Sequence, residues 1–268
     1  MRRAHLAIVG LVLVVFLSAI ASSQNSREVT KTVTLKPDGE VSIDTYKGSI
    51  TVSVWDKPSV EIHATIEADD EFSDKYSEEK VRDTEISIRS TENTVKVKTD
   101  YDNIHKHRNG LFFFFEDNGS LPLVHYKITM PATARLRVKD FKSKSVVTGV
   151  LSDVEFNTYK GTAELNGIAG SLRFDTYKGE AKISFDKIAG RSRVETYKGD
   201  LSIVVPKNLG FDLDADLGYR TDVHTDFAIE RKVKSRRHSN YEYQGPVNGG
   251  GPSLVLRSTR GSVDLRQR

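Results

Sequence analysis

The residues best suited to binding chemistry are the aromatic and cationic pairs of a recurring tetrapeptide. Thr-Tyr-Lys-Gly occurs four times, at positions 45–48, 158–161, 176–179 and 196–199. The last three copies follow one another at intervals of 18 and 20 residues. A fixed spacing of this size is typical of stacked structural repeats. We therefore expect the tyrosines and lysines to form columns on an outer surface.

An aromatic column beside a cationic column could lie along a glycan or an extended peptide. Ring faces would make apolar contacts and lysines would bind acidic groups. The simpler interpretation is that stacked rings and opposite charges stabilise the surface, as cross-strand pairs do without any ligand. Both interpretations stay open. The candidate binding face consists of Tyr46, Lys47, Phe141, Tyr159, Lys160, Tyr177, Lys178, Tyr197 and Lys198.

A catalytic interpretation depends on paired carboxylates such as Asp175 and Glu195. Two carboxylates on one face could cleave a glycan, but acids beside lysines are more simply surface ion pairs. The chain has no nucleophile elbow, phosphate loop or metalloprotease helix motif. The sequence therefore predicts a protein that is not an enzyme and needs no cofactor.

Two further groups of charged or metal-binding side chains are weaker candidates. His105 and His107 form a His-x-His pair, and His63 and His125 could approach it, but no third ligand is fixed by spacing. We expect a solvated loop and no metal site.

A basic cluster could touch anionic lipid or polysaccharide, although such runs are usually solvated loops. It consists of Arg231, Lys232, Lys234, Arg236 and Arg237.

The elements that would position these residues are short strands. Apolar and polar residues alternate at period two, which indicates one buried face. Glycine after each lysine suggests a corner with an unusual backbone angle. The predicted inward set is Val154, Phe156, Thr158, Leu172, Phe174, Thr176, Val194 and Thr196.

The predicted fold is all-β, a parallel β-solenoid whose coils of 18–20 residues stack because one coil cannot bury its own apolar face. Residues 24–268 would form one domain, with regular coils over 136–226 and a final coil over 253–268. An antiparallel or irregular insertion covers about 66–123. The first part of this insertion is expected to be either a short helix that begins at Ser73 or a solvated loop. A hairpin around 91–94 follows it.

Two features bear on exposed apolar surface. The run Phe112–Phe115 places rings on both faces of any strand, and we expect burial because large exposed apolar patches are uncommon on soluble monomers. The alternative is exposure for a partner. An open edge of the sheet would also permit self-association.

Residues 1–23 have the pattern of a secretory signal. Arg2 and Arg3 precede an apolar run from Leu6 to Ile20, and small residues follow, so we expect cleavage after Ala21 or Ser23. The alternative is an uncleaved anchor, but the run is shorter than the roughly 20 residues of a spanning helix. The protein is therefore expected to be secreted, periplasmic or on the cell surface.

The charge balance excludes one class of partner. Cleavage lowers the formal charge from +3 to +1 because it removes Arg2 and Arg3. Nucleic-acid binding would need a basic face or stripe, so we expect none. The chain has no cysteine, so it has neither a disulfide framework nor a lipid-attachment cysteine.

Several segments resemble the bacterial putative-adhesin family. They are Asp44 to Val52, Tyr126 to Pro131, the Tyr-Lys-Gly turns and the closing stretch from Gly250 to Leu265. The resemblance implies an exported β-solenoid that binds a surface or envelope component, and it brings no catalytic residues. The ligand would be a glycan or an envelope protein. The alternative is a structural or envelope-stress accessory protein.

Overall fold

A computed structural model describes residues 22–23, 26–69, 76–106, 120–229, 231–233 and 241–268. Most of the predicted signal segment, Ser73, His107 and the run Phe112–Phe115 lie outside these residues. No helix in the described part of the chain is long and apolar enough to cross a membrane. The strands and helices are β1 (Ser22–Ser23), β2 (Ser26–Thr34), β3 (Glu40–Asp44), β4 (Lys47–Trp55), β5 (Ser59–Glu67), α1 (Ser77–Asp83), β6 (Glu85–Ser90), β7 (Thr94–Asp100), α2 (Asp102–Lys106), β8 (Leu123–Pro131), β9 (Arg135–Asp140), β10 (Lys142–Thr148), β11 (Val154–Thr158), β12 (Thr162–Ile168), β13 (Leu172–Thr176), β14 (Glu180–Phe185), β15 (Ser192–Thr196), β16 (Leu201–Val205), β17 (Phe211–Thr225), β18 (Arg231–Val233), β19 (Tyr241–Val247) and β20 (Ser253–Gln267).

Two long parallel ladders run through the molecule. One joins β3, β9, β11, β13, β15, β20 and β17 in that order. The other joins β8, β4, β10, β12, β14, β16 and β20. The tetrapeptides meet in register, because Thr158 pairs with Thr176 and Thr176 pairs with Thr196.

Antiparallel ladders complete the sheet and correct the predicted fold. Strand β5 pairs antiparallel with both β2 and β8, and β19 pairs antiparallel with β17 and β18. The all-β class is confirmed, with 65% strand and 5% helix among the described residues, but these form a single mixed sheet in a nearly closed barrel. The predicted parallel β-solenoid is therefore wrong. Period-two alternation specifies which face of a strand is buried but not the direction of its neighbour.

The core is continuous and follows the alternation. Val154, Phe156, Leu172, Phe174 and Val194 are all at most 2% exposed, as the inward set requires. Phe156 and Phe174 stack with ring centroids 5.6 Å apart. The threonines of the inward set are also buried.

The part of the chain expected to be an insertion contains an antiparallel hairpin. Strands β6 and β7 pair antiparallel, as the alternation around 91–94 predicts. Strand β7 also pairs parallel with β3, which joins the hairpin to the main sheet. The helix there begins at Ser77.

Candidate functional site

Five aromatic rings form a continuous stack at the ends of neighbouring strands. Tyr46, Phe141, Tyr159, Tyr177 and Tyr197 have successive centroid distances of 4.7, 4.9, 4.8 and 4.9 Å. Their planes differ by 13° at most. The distance equals the spacing of neighbouring strands, so each ring keeps the position of its own strand. We call these five residues the aromatic column.

Backbone hydrogen bonds hold the column in register. The amide of Lys160 donates to the carbonyl oxygen of Phe141 at 2.8 Å, and the amide of Lys178 donates to that of Tyr159 at 2.9 Å. The amide of Lys198 donates to the carbonyl oxygen of Tyr177 at 2.9 Å. Each turn is thus bonded to the ring-bearing residue of the preceding turn.

The glycines of the later turns lie too close to neighbouring backbone to carry a side chain. A Cβ atom on Gly179 would lie 2.2 Å from the carbonyl oxygen of Gly161, and one on Gly199 would lie 1.9 Å from that of Gly179. The expected unusual backbone angle occurs at Gly48, where φ is 126°, but Gly161, Gly179 and Gly199 have no positive φ. The prediction of an unusual angle is therefore wrong for the three later turns.

The lysines of the tetrapeptides divide into two groups. Lys160, Lys178 and Lys198 are exposed, and the Lys178 ammonium lies 5.5 Å from the Tyr177 centroid. Lys47 is only 7% exposed, and its ammonium binds Asp69 Oδ2 at 2.6 Å and also contacts Ser120 Oγ. Lys47 therefore does not belong to the exposed face on which the sequence predicts it.

Stacking changes what the column can offer a ligand. A ring inside the stack has both faces covered by its neighbours, so it presents only its edge and its hydroxyl group. Tyr159 and Tyr177 are 39% and 38% exposed, which is the contribution of those edges. The expected apolar contact through ring faces is thus blocked within the column, while hydrogen bonding to tyrosine hydroxyl groups is possible.

A groove of about 910 Å³ lies beside the column. Its lining includes the polar side chains that precede the rings by two residues on each strand, namely Lys139, Asn157, Asp175 and Glu195. Strand residues two apart point to the same face, so these side chains form a row parallel to the column. Further lining residues are Asp216, Gly218, Tyr219, Arg257, Ser258 and Thr259.

Arginines adjoin the carboxylates of this row. Arg173 Nε donates to Asp175 Oδ2 at 3.2 Å, and Arg193 donates to Glu195. Arg257 forms a two-point pair with Asp214, with nitrogen to oxygen distances of 2.9 and 3.1 Å. Asp175 and Glu195 of the row are therefore each paired with an arginine, and Arg257, which also lines the groove, is paired with Asp214.

The two neighbouring carboxylates titrate differently. Burial, together with a hydrogen bond to Glu195, raises the pKa of Asp175. Burial opposes ionisation of Glu195 as well, but hydrogen bonds from Arg193 and Asp175 hold the pKa of Glu195 below its usual value. Asp175 therefore takes up the first proton as the pH falls.

Two of the four histidines considered for a metal site, His63 and His125, have described side chains that contact hydroxyl groups. His125 Nδ1 lies 2.8 Å from Ser49 Oγ, and His63 Nδ1 lies 3.1 Å from Thr30 Oγ1. Within the described ranges no group of three or more His, Cys, Asp or Glu side chains could hold a metal ion. The side chain of His105 and all of His107 are outside those ranges.

The basic cluster is partly in a strand. Arg231 and Lys232 belong to β18, which pairs antiparallel with β19, so these two residues are not in the expected solvated loop. Lys234, Arg236 and Arg237 lie outside the described residues.

Sequence reasoning missed the far end of the groove. Tyr219, Arg257 and Thr259 line it, although they lie in segments that match the tetrapeptide poorly. A usable signal is Thr259-Arg260-Gly261, which stands in the closing stretch where the other repeats have Tyr-Lys-Gly and so lacks the aromatic residue.

Comparison with known proteins gives only distant likenesses. No protein-family model and no curated protein matches the chain. A putative cell adhesion protein from Clostridium sporogenes is 12% identical, with a TM-score of 0.49 over 90% of this chain and 100% of that one. A putative lipid binding protein from Parabacteroides distasonis is 11% identical, with a TM-score of 0.37 over 90% and 96% of the two chains. A putative adhesin from Bacteroides fragilis is 12% identical, with a TM-score of 0.31 over 90% and 97%.

Proposed function

We propose that this protein is an exported, non-catalytic binding protein that holds a glycan chain in the groove beside the aromatic column. The observation that carries the proposal is the groove itself, which combines a row of carboxylate and amide side chains with a row of tyrosine edges. Planar polar side chains can bond to neighbouring hydroxyl groups, and tyrosine hydroxyl groups both donate and accept. Export rests on the signal pattern of residues 1–23.

The shape of the groove favours an extended ligand. Tyr159, Tyr177 and Tyr197 recur at 4.8 and 4.9 Å, so a chain of similar units would meet a tyrosine edge at each step along its length. Exposed Lys160, Lys178 and Lys198 add positive charge along the column side. Acidic substituents on the glycan would strengthen binding there.

A binding role suits the carboxylates better than a catalytic role. Asp175 and Glu195 are cross-strand neighbours, and each is bonded to the arginine two residues before it. Such pairing fixes the orientation of an acceptor, which serves recognition of hydroxyl groups.

The test is binding of residues 24–268 to an array of bacterial and host glycans. The double variant Asp175→Asn and Glu195→Gln keeps the shapes of both side chains and should weaken binding by about tenfold or more, since each charged acceptor is lost. Glu164→Gln is the matched control because Glu164 is exposed on β12, in the other parallel ladder. Equal binding by the double variant would contradict the proposal. Binding to no glycan would favour a scaffold with a protein partner, which a pull-down from envelope extract would identify.

A further inference from the structure

The aromatic column stops while the sheet continues. Thr196 pairs with Ser258 of β20, and Ser258 pairs in turn with Leu217 of β17. The residue beside Tyr197 on the next strand is therefore Thr259. The ladder between β20 and β17 shifts register between Leu217 and Arg220, so both Gly218 and Tyr219 lie opposite Thr259. Thr259 is small where the preceding strands carry rings.

The two ends of the column differ. At the first end, Tyr101 packs edge-on against Tyr46, with centroids 6.4 Å apart and planes at 80°. At the other end, among the residues that the structure describes, no ring stacks on the outer face of Tyr197. Tyr197 is 49% exposed, against 38% for Tyr177 inside the column. More of the Tyr197 ring is therefore exposed at this end than of a ring inside the column.

The space over this face belongs to the groove. Thr259, Gly218 and Tyr219 all line the groove together with Tyr197. Gly218 cannot carry a side chain without a shift, because a Cβ atom there would lie 2.4 Å from the carbonyl oxygen of Thr259. Gly218 therefore adds no side chain to this space, and Tyr219, 52% exposed, borders it.

We propose that this space is a subsite for one pyranose ring of a glycan, which stacks on Tyr197 in the position of the ring that Thr259 lacks. The inference rests on the proposed function and adds to it the place and the chemistry of one ligand unit. A ligand ring at this position would extend the stack by one interstrand step, about 4.8 Å.

The polar surroundings select a sugar over a purely apolar ring. Glu195 precedes Tyr197 by two residues and pairs in register with Arg257, so a carboxylate and a guanidinium border the subsite. An apolar ring would withdraw water from these groups without replacing their hydrogen bonds, which is costly. A pyranose offers a face of C–H groups to the tyrosine and a rim of hydroxyl groups to the charged side chains.

The variant Thr259→Tyr tests the subsite directly. Thr259 is exposed, so a tyrosine there can extend the column and fill the subsite. One added stacked pair should raise the Tm by about 2–4 °C. Affinity for the hexaose that wild-type protein binds best, chosen from cellohexaose, chitohexaose and xylohexaose by calorimetry, should fall by about tenfold or more. Thr259→Ser is the control and should bind like wild type.

The possible results separate this inference from the proposed function. Undiminished hexaose binding by Thr259→Tyr, with a raised Tm, would overturn the subsite and leave the groove proposal standing. Loss of binding with an unchanged or raised Tm supports the subsite. If Thr259→Tyr does not fold, Thr259→Leu fills the same space without a ring and is judged by the same loss. If the wild-type protein binds none of the three hexaoses and no glycan on the array, both the subsite and the proposed function are overturned.

Discussion

The close approach of neighbouring strands limits which residue types can occupy the turns. Thr158 Oγ1 accepts a hydrogen bond from the amide of Gly161 at 2.9 Å, and Thr176 Oγ1 accepts one from Gly179 at 2.8 Å. The hydroxyl group thus satisfies a buried donor that would otherwise be costly. In these two turns the threonine closes the turn and the glycine leaves room for it, whereas the amide of Gly199 in the third turn donates to the carbonyl oxygen of Arg260 at 3.1 Å.

Replacing a turn glycine should therefore be destabilising for a steric reason. We expect Gly179→Ala to lower the free energy of unfolding by about 1–3 kcal/mol, because the added Cβ collides with backbone. Gly190→Ala is the control, since its Cβ would meet Ser171 Cβ at an ordinary 3.6 Å. Urea denaturation measures both. Equal stability of the two variants would show that crowding does not explain the glycine.

Asp140 occupies the position that threonine holds in the three later turns. It pairs in register with Thr158, and its Oδ2 accepts a hydrogen bond from the amide of Ser143 at 2.8 Å. Burial raises the pKa of this carboxyl group, and hydrogen bonds from Thr158 and Ser143 offset the effect only in part. The folded protein therefore binds this proton more readily than the unfolded chain does.

The raised pKa predicts how Asp140 affects stability. Its contribution is fully favourable below the unfolded pKa and is lost as the pH rises through the higher folded pKa. At pH 7, Asp140→Thr should thus raise the free energy of unfolding by about 1 kcal/mol, because a hydroxyl group keeps the turn bond without a buried charge. The gain should shrink as the pH falls toward 4. Denaturation at both pH values tests this, and the reverse change Thr176→Asp should destabilise more at pH 7 than at pH 4.

At the scale of elements, the aromatic column links five turns through ring contacts. Each inner ring makes two stacked contacts, and aromatic pairs contribute about 0.5–1.5 kcal/mol each beyond burial. The structure thus supports a stabilising role for the column, whether or not a ligand binds along it.

Removing an inner ring tests that role. Tyr177→Ala should lower the free energy of unfolding by about 1–3 kcal/mol, because both stacked contacts are lost. Tyr177→Phe keeps the ring and should lie close to wild type, and Tyr219→Ala is a control outside the stack. Thermal unfolding gives the comparison. A Tyr177→Ala variant as stable as the control would mean that the stack contributes nothing measurable.

At the scale of the molecule, one core runs from one end of the sheet to the other. Ile62 on β5 and Ile203 on β16 are both fully buried and belong to the same cluster. Antiparallel ladders join the early strands to the parallel ones, so neither half has a separate core. Repeat arrays, by contrast, contact only their neighbours and can lose cooperativity.

The chain should therefore unfold in a single transition, as expected for one domain over residues 24–268. Ile62→Val and Ile203→Val should each lower the same Tm, since each removes a buried methylene group worth about 0.5–1.5 kcal/mol. Calorimetry checks this by comparing the measured and van't Hoff enthalpies. Two resolved transitions, each shifted by only one of the variants, would contradict a single domain.

The sequence by itself determined which side chains are inside and which turns are equivalent. Alternation placed Phe156 and Phe174 in the core, and the tetrapeptide placed Tyr159, Tyr177 and Tyr197 in one outer row, because both patterns are local and repeat along the chain. Strand direction is not local. Only the tertiary structure decided that β5 and β19 pair antiparallel, that Lys47 is buried against Asp69, and that Tyr219 and Arg257 line the groove beside the column, because each depends on which distant strand lies alongside.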